Sequence, residues 1–208
     1  MDTPAELQLR KQPKQQRSRQ LVDKVLDAAV SLAEESGLSG FNTNAVAERA
    51  GVEIASVYQY FPNKESILFL ATQRWLQGIQ DALDELEAEP YLELSWREFF
   101  SHYGEKISNV PGFRSGFASM QSLWVLYPQY QRLSDDHRHY IVDFVVRHCL
   151  RLGAKADQAE IRALATYLYL ASTTVIQAAL TIESSQAEHL IHRNQVIWLS
   201  QLENIMPN

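Results

Sequence analysis

Apolar residues recur along most of this chain with the spacing of an α-helix. In residues 19–37, RQLVDKVLDAAVSLAEESG, the side chains of Leu21, Val25, Ala29 and Leu32 return every three or four positions, which places them on one helical face. Gly37 follows as a natural C-terminal stop. No run alternates convincingly with a period of two, so the pattern predicts an all-α protein without strands.

Glycine, proline and capping residues divide this pattern into about nine helices. Two short helices, TNAVAERAG and EIASVYQYF, meet at Gly51, and the second stops at Pro62. A long helix follows from Asn63, a plausible N-cap, and the next begins at Ser95 with Glu98 in the capping-box position. Four more helices are predicted at about residues 113–127, 134–153, 158–182 and 186–206.

Length and composition predict a globular protein with a sizeable core. The chain has 208 residues, of which 46% are hydrophobic and 21% are charged, enough for one large domain or two small ones. Its single cysteine, Cys149, allows no internal disulfide, which favours a reducing compartment. Because no signal peptide is recognisable and no apolar run reaches the roughly 18 residues of a membrane span, we expect a soluble, cytoplasmic protein.

Charge is distributed unevenly along the chain. The formal net charge is −6, which by itself argues against binding to nucleic acid. Residues 10–24, however, carry six basic side chains and one acidic side chain, whereas the chain from Glu65 onward carries 11 basic and 17 acidic ones. A basic segment on an acidic body is typical of a nucleic-acid-binding arm. The alternative is a solvated, disordered tail.

The block from Thr43 to Tyr60 has the organisation of a helix-turn-helix. Gly51 provides the positive φ that a tight turn between two helices requires, and Ala50 and Val52 allow the helices to approach closely. In this motif the second helix enters the major groove of DNA. Its outward residues are then Ile54, Ala55, Ser56, Gln59 and Tyr60.

The stretch FNTNAVAERAGVEIASVYQYFPNKESIL, residues 41–68, resembles the signature of the TetR (tetracycline repressor)/AcrR-like family of bacterial transcriptional regulators. The shared features are a Thr at the start of the first motif helix, then A-x-x-A-G-V, then Y-x-Y-F-P-N-K-E. The match covers about a third of the chain when the arm and first helix are included. It implies a basic arm over residues 1–16, a DNA-binding domain over 17–75 with its motif at about 42–61, and an effector-binding and dimerisation domain over 76–208.

The resemblance implies specific DNA contacts. Tyr58 and Tyr60 are expected to reach phosphates through their hydroxyls, with one of the rings, Tyr58 by its spacing from Phe61, partly buried. Phe61 is expected to pack inward. The full set of expected DNA-binding residues is Thr43, Asn44, Ile54, Ala55, Ser56, Tyr58, Gln59, Tyr60, Lys64, Arg17 and Arg19.

Two positions depart from the family pattern. The family usually has Ser where Glu53 stands and Gly where Ala55 stands. A carboxylate at a helix start suits the helix dipole but would repel a nearby phosphate, and the Ala55 methyl group offers contact with a thymine methyl group. Both changes leave the preferred DNA sequence open.

The C-terminal two-thirds of the chain is rich in aromatic residues. In the resembled family this region encloses an effector pocket, and ordinary core packing is the alternative. Charged contacts to an effector are expected from Arg74 or Arg114. The candidate pocket residues are Trp75, Phe99, Tyr103, Phe117, Trp124 and Tyr167.

The last two predicted helices are apolar around most of their circumference, which implies burial on two sides. One side is expected to face a second copy of the chain in a four-helix dimer interface with two-fold symmetry. An ordinary core hairpin is the alternative. The candidate dimerisation residues are Leu168, Ala171, Val175, Ala179, Val196 and Leu199.

These observations favour a ligand-responsive dimeric transcriptional regulator, expected to be a repressor. It would bind a palindromic DNA operator and be released by a small apolar or aromatic effector. No catalytic site, metal or cofactor is expected: His189 and His192 have a possible metal-ligand spacing, but no carboxylate pair or phosphate-binding loop accompanies them. A DNA-binding regulator without an effector, and an all-helical enzyme or carrier, remain as alternatives.

Overall fold

The computed structural model describes residues 4–36, 40–110, 128–179 and 181–207, and these residues contain helices and no strand. The all-α prediction is therefore confirmed. The predicted helix at 113–127 lies outside the described residues. The α-helices are α1 (Gln16–Ser36), α2 (Thr43–Ala50), α3 (Ile54–Tyr60), α4 (Lys64–Asp84), α5 (Trp96–Ser108), α6 (Pro128–Arg151), α7 (Gln158–Ala179) and α8 (Ser184–Glu203).

Capping residues account for several helix ends. The Asn63 Oδ1 atom accepts a hydrogen bond of 2.7 Å from the Ser66 backbone N–H, and Ser95 forms a capping box with Glu98, as predicted. The start of α6 differs from the sequence-based estimate, because the helix begins at Pro128 and not near residue 134. Proline is well suited to a first helical position, where its missing N–H has no helical partner to lose.

The described residues fall into two compact units. The first comprises those of Met1–Gln77 and Ser115–Gln131, and the second those of Gly78–Arg114 and Arg132–Asn208. Helix α4 contributes residues to both units. None of the described helices combines the length and the apolar character that a membrane span needs.

The first unit has a small core between α1, α2 and α3. The apolar faces of these three helices pack together, as their helical spacing predicts. Two surface arginines tie helices to α1: Arg49 pairs with Glu35, and Arg74 pairs with Asp23 and Asp27. Arg74 thus makes its ion pairs inside the first unit. The core residues are Val25, Leu26, Ala29, Phe41, Val46, Ala47, Val57 and Phe61.

The segment before α1 is folded against this unit. Ala5–Leu7 form a short 3-10 helix, and the Leu7 side chain is only 1% exposed. The Arg10 backbone N–H donates a 2.8 Å hydrogen bond to the Tyr60 carbonyl oxygen. The disordered-tail alternative is therefore wrong for residues 4–11, which we call the strap.

The second unit is built around stacked aromatic rings. Phe99 of α5 and Phe144 of α6 enclose the His148 ring, with centroids 4.5 Å and 4.3 Å from it. Tyr103 lies against Phe144 at 6.0 Å and against Trp198 of α8 at 5.3 Å. These rings come from α5, α6 and α8, so the cluster provides core packing between three helices.

Helices α7 and α8 are joined by one polar contact. The Ser172 hydroxyl oxygen accepts hydrogen bonds from Trp198 Nε1 at 2.8 Å and from Asn194 Nδ2 at 3.0 Å. Because the three residues must align for both bonds to form, this contact sets the register of the two helices.

Two buried histidines make the second unit sensitive to acid. Burial lowers the pKa of His137 to about 4, and burial together with the Arg151 and Arg147 charges outweighs Glu87 in lowering the pKa of His148 to about 4. The unfolded chain has imidazole pKa values near 6.5. Between these two pKa values the unfolded state binds more protons, so stability rises with pH.

We predict that replacing His137 with Phe reduces this pH dependence. The free energy of unfolding of the wild type should fall on acidification from about pH 6.5 towards pH 4, and the variant's dependence should be smaller by about 1.4 kcal/mol per pH unit. Urea unfolding at pH 7, 6 and 5 would measure it. The exposed His139 on the same helix provides the control, His139→Phe, which should keep the wild-type dependence; equal slopes for all three proteins would contradict the prediction.

Candidate nucleic-acid interface

Helices α2 and α3 form a tight helix-turn-helix. Asn42 caps α2, because its Oδ1 atom accepts a 3.0 Å hydrogen bond from the Ala45 backbone N–H. Gly51 ends the helix with φ of 65° and ψ of 38°, the left-handed conformation that glycine adopts without steric cost. The Val52 backbone N–H then bonds to the Ala47 carbonyl oxygen at 3.0 Å. The turn predicted around Gly51 is present.

Helix α3 buries one face and exposes the other. Val57 is buried in the three-helix core, and Phe61, directly after the helix, is fully buried, as predicted. On the opposite face Ala55 and Gln59 are exposed. Ile54 and Ser56 are half-buried beside them, so α3 presents a short surface of mixed chemistry.

The sequence predicted that Tyr58 is the partly buried tyrosine of α3, but the structure buries Tyr60 instead. Tyr58 is 44% exposed, whereas Tyr60 is only 9% exposed. The reason is the strap, since the Lys11 ammonium lies 4.8 Å above the centre of the Tyr60 ring. Tyr58 is therefore the more accessible of the two for a phosphate contact.

Basic and polar side chains flank α3 on neighbouring elements. Lys64, the first residue of α4, is exposed, as are Arg17 and Arg19 near the start of α1. At the start of α2, Asn44 is exposed but Thr43 is 9% exposed. Thr43 thus contributes mainly to packing, and Asn44 is the accessible residue of the pair.

Sequence reasoning missed the strap as part of this surface. Its Lys11 Nζ atom donates a hydrogen bond to Gln59 Oε1 at 3.3 Å, and Asn63 Nδ2 donates one to the Glu6 carbonyl oxygen at 3.1 Å. The available signal was Leu7, one of two leucines in a largely polar stretch. A single leucine is a weak indication of burial, because single exposed apolar residues are common.

Comparison with known proteins agrees with this geometry. The family model of bacterial regulatory proteins of the tetR family matches residues 25–71, which include α2, the turn and α3. Residues 25–71 belong to the TetR family. The resemblance read from residues 41–68 is confirmed.

Individual relatives are similar to this chain in sequence beyond the motif. The HTH-type transcriptional repressor KstR of Mycolicibacterium smegmatis is 33% identical over 76 residues, which are 35% of this chain and 37% of KstR. The HTH-type transcriptional regulator EthR of the same species is 22% identical over 201 residues, 88% of this chain and 86% of EthR. The match to KstR thus spans little more than a third of that protein.

A solved structure shows the same fold over most of the chain. The SmeT–triclosan complex superposes with a TM-score of 0.68 at 18% identity and covers 90% of this chain and 92% of that one. At this identity the likeness concerns the fold alone. The second unit therefore has the helical architecture found in that protein.

The described candidate effector residues are distributed over the two units. Phe99 and Tyr103 belong to the aromatic cluster of the second unit, whereas Trp75 is a buried residue of the first unit. Tyr167 is 62% exposed on the outer side of α7, so we assign it to the surface and not to an enclosed pocket. Phe117 and Trp124 lie outside the described residues, as does Arg114.

The candidate dimerisation residues differ in how far they are buried. Leu168 and Ala179 are buried within the single chain, where they cannot face a second copy, whereas Val196 is exposed. Ala171, Val175 and Leu199 are half-buried. The exposed apolar residues of α7 and α8 are Tyr167, Leu170, Val196 and Ile197.

Proposed function

We propose that this TetR-family chain is a homodimeric transcriptional repressor that binds a palindromic operator through α3 and is released by a small apolar or aromatic effector. The exposed face of α3 carries the proposal. Its other face is held rigidly in the core by Val57 and Phe61, so Gln59 and its neighbours are presented from a fixed helix. A rigid helix with an accessible polar face is what major-groove recognition requires.

The exposed side chains divide into two roles. Ser56 and Gln59 carry hydrogen-bonding groups on the face of α3, where base edges are read. Tyr58, Lys64, Arg17 and Arg19 are exposed on the same unit and would supply donors and positive charge for phosphates. Because the whole chain carries a net charge of −6, these few groups must provide most of the attraction to DNA.

The outer face of α7 and α8 supports a dimer. Tyr167 and Leu170 are 62% and 52% exposed, and Val196 and Ile197 contribute a second exposed pair from α8. Several large apolar side chains exposed on two neighbouring helices are consistent with an interaction site. Two copies related by a two-fold axis would cover it and place two α3 helices for half-sites about 34–36 Å apart.

The aromatic cluster of the second unit supports an apolar or aromatic effector. Phe99, Phe144, Tyr103 and Trp198 supply ring surfaces from three helices, which suits binding of an uncharged molecule. Triclosan, the molecule named in the SmeT complex, is an aromatic compound of this chemical kind. The effector would act by binding the DNA-free and DNA-bound conformations with different affinity.

Selection of bound sequences from random DNA duplexes tests the proposal. The full chain should enrich a palindrome, and addition of triclosan or other aromatic compounds should release it. Enrichment of a palindrome without any response to these compounds would favour the alternative of a DNA-binding regulator without a small-molecule effector. The absence of an enriched sequence would contradict the proposal and favour the enzyme or carrier alternative.

We predict that Lys64→Ala weakens binding to every duplex. Loss of one phosphate contact should reduce the slope of log affinity against log salt concentration by about 0.9 for each contact removed. Fluorescence anisotropy at several salt concentrations would measure both quantities. The exposed Lys155 of the second unit provides the control, since Lys155→Ala removes the same charge there; equal slopes for Lys64→Ala and wild type would exclude the phosphate role.

A further inference from the structure

The strap brings a lysine into direct contact with the recognition helix. Lys11 Nζ donates a hydrogen bond to the side-chain oxygen of Gln59 at 3.3 Å. Both side chains are exposed, so their outer surfaces remain accessible to a ligand. Gln59 is the side chain of α3 with the greatest hydrogen-bonding capacity on the accessible face.

The position of Lys11 is fixed by the fold of the strap. Leu7 anchors the segment in the core at 1% exposure, and backbone bonds at Arg10 and Glu6 hold its two ends. The Tyr60 ring lies 4.8 Å below the Lys11 ammonium and attracts it through its π face. Lys11 is therefore held beside Gln59 by four separate contacts and is not a freely moving charge.

This contact changes what Gln59 can offer to a base. A free glutamine amide has an oxygen acceptor and two N–H donors, and it pairs with adenine by accepting from N6 and donating to N7. Here Lys11 takes one of the two lone pairs of the oxygen and places its positive charge beside the other, which disfavours a second donor, whereas both donors of Nε2 remain available. The Lys11 ammonium adds further donors and no acceptor.

We propose that Lys11 and Gln59 act as one donor-only pair that reads guanine in the major groove. Guanine presents two acceptors, N7 and O6, whereas adenine presents N7 and an amino donor. The adenine amino group would have to approach an oxygen that already accepts a hydrogen bond from a cation, which disfavours adenine. The inference rests on the proposed function, and it names a base preference that follows from the strap and not from α3 alone.

Selection from random duplexes by wild type, Gln59→Ala, Lys11→Met and Lys14→Met tests the pair. Gln59→Ala identifies the base position that depends on Gln59. Wild type should select guanine there by about tenfold over adenine. Lys11→Met, which frees the Gln59 oxygen, should shift that position towards adenine. Lys14→Met removes the same charge from an exposed arm residue and should lower affinity without changing the base preference.

A second variant tests the position of Lys11 while its charge is kept. Leu7→Ala retains Lys11 but removes the anchor of the strap, so it should shift the same position towards adenine at a temperature where the protein remains folded. Circular dichroism would establish that temperature.

Three results would overturn the guanine pair. These are wild-type selection of adenine at the Gln59-dependent position, unchanged preference in Lys11→Met, and an equal loss of affinity in Lys11→Met and Lys14→Met with one shared consensus. Failure of the proposed function has a different signature, since wild type would then enrich no sequence.

Discussion

Replacement of Leu170 by Glu is expected to convert the protein to a monomer and to abolish operator binding. Leu170 lies at 52% exposure on α7, on the surface that we propose as the dimer interface, so each copy would bury one new carboxylate there. A buried carboxylate without a partner costs several kcal/mol, and this interface would hold two. A loss of about 4 kcal/mol weakens dimerisation about a thousandfold.

The helical fold of the single chain should survive this change, because Leu170 contributes little to its core. Sedimentation velocity would report the oligomeric state, circular dichroism the helix content, and anisotropy the binding to the selected duplex. Leu150 provides a matched control, since it is a leucine of the second unit at 45% exposure. Leu150→Glu should remain dimeric and bind DNA. A dimeric Leu170→Glu protein would show that another surface joins the subunits.

Helix α7 shows how far a hydrophobic pattern can predict an interface. Its residues are apolar almost all round, so the sequence predicted that the helix is covered on more than one side. The pattern contains no information on which side the same chain covers. Leu168, expected at the dimer interface, is buried within the chain, whereas Tyr167, expected in the effector pocket, is exposed. One residue of helical rotation, about 100°, separates these two outcomes.

The helix-turn-helix was more predictable because its determinants are local. Gly51 at a left-handed turn, Asn63 as a cap and Phe61 in the core all follow from short-range rules. The strap was not predictable in this way, because its contacts join residues about 50 positions apart, as in the Lys11–Gln59 bond. Those long-range contacts also decide which of the two α3 tyrosines is covered.

Leu7→Ala is expected to destabilise the DNA-binding unit markedly. If residues 4–11 were a solvated tail, their removal would leave the melting temperature unchanged, but the Leu7 side chain is 1% exposed. Truncation of a buried leucine costs about 2–5 kcal/mol through lost apolar contacts and the cavity that remains. That is a large share of the 5–15 kcal/mol by which a typical domain is stable.

Urea unfolding followed by circular dichroism would measure the loss, with Leu7→Met as the control. Methionine has a similar volume and flexible packing, so it should cost less than about 1.5 kcal/mol. Leu9→Ala offers a second comparison within the strap, because Leu9 is only half-buried and should lose less than Leu7. A Leu7→Ala protein as stable as wild type would mean that the strap is detached in solution, and Lys11 would then have no fixed position beside Gln59. A large loss for Leu7 with a small one for Leu9 would instead identify a single anchored side chain as the source of the strap's order.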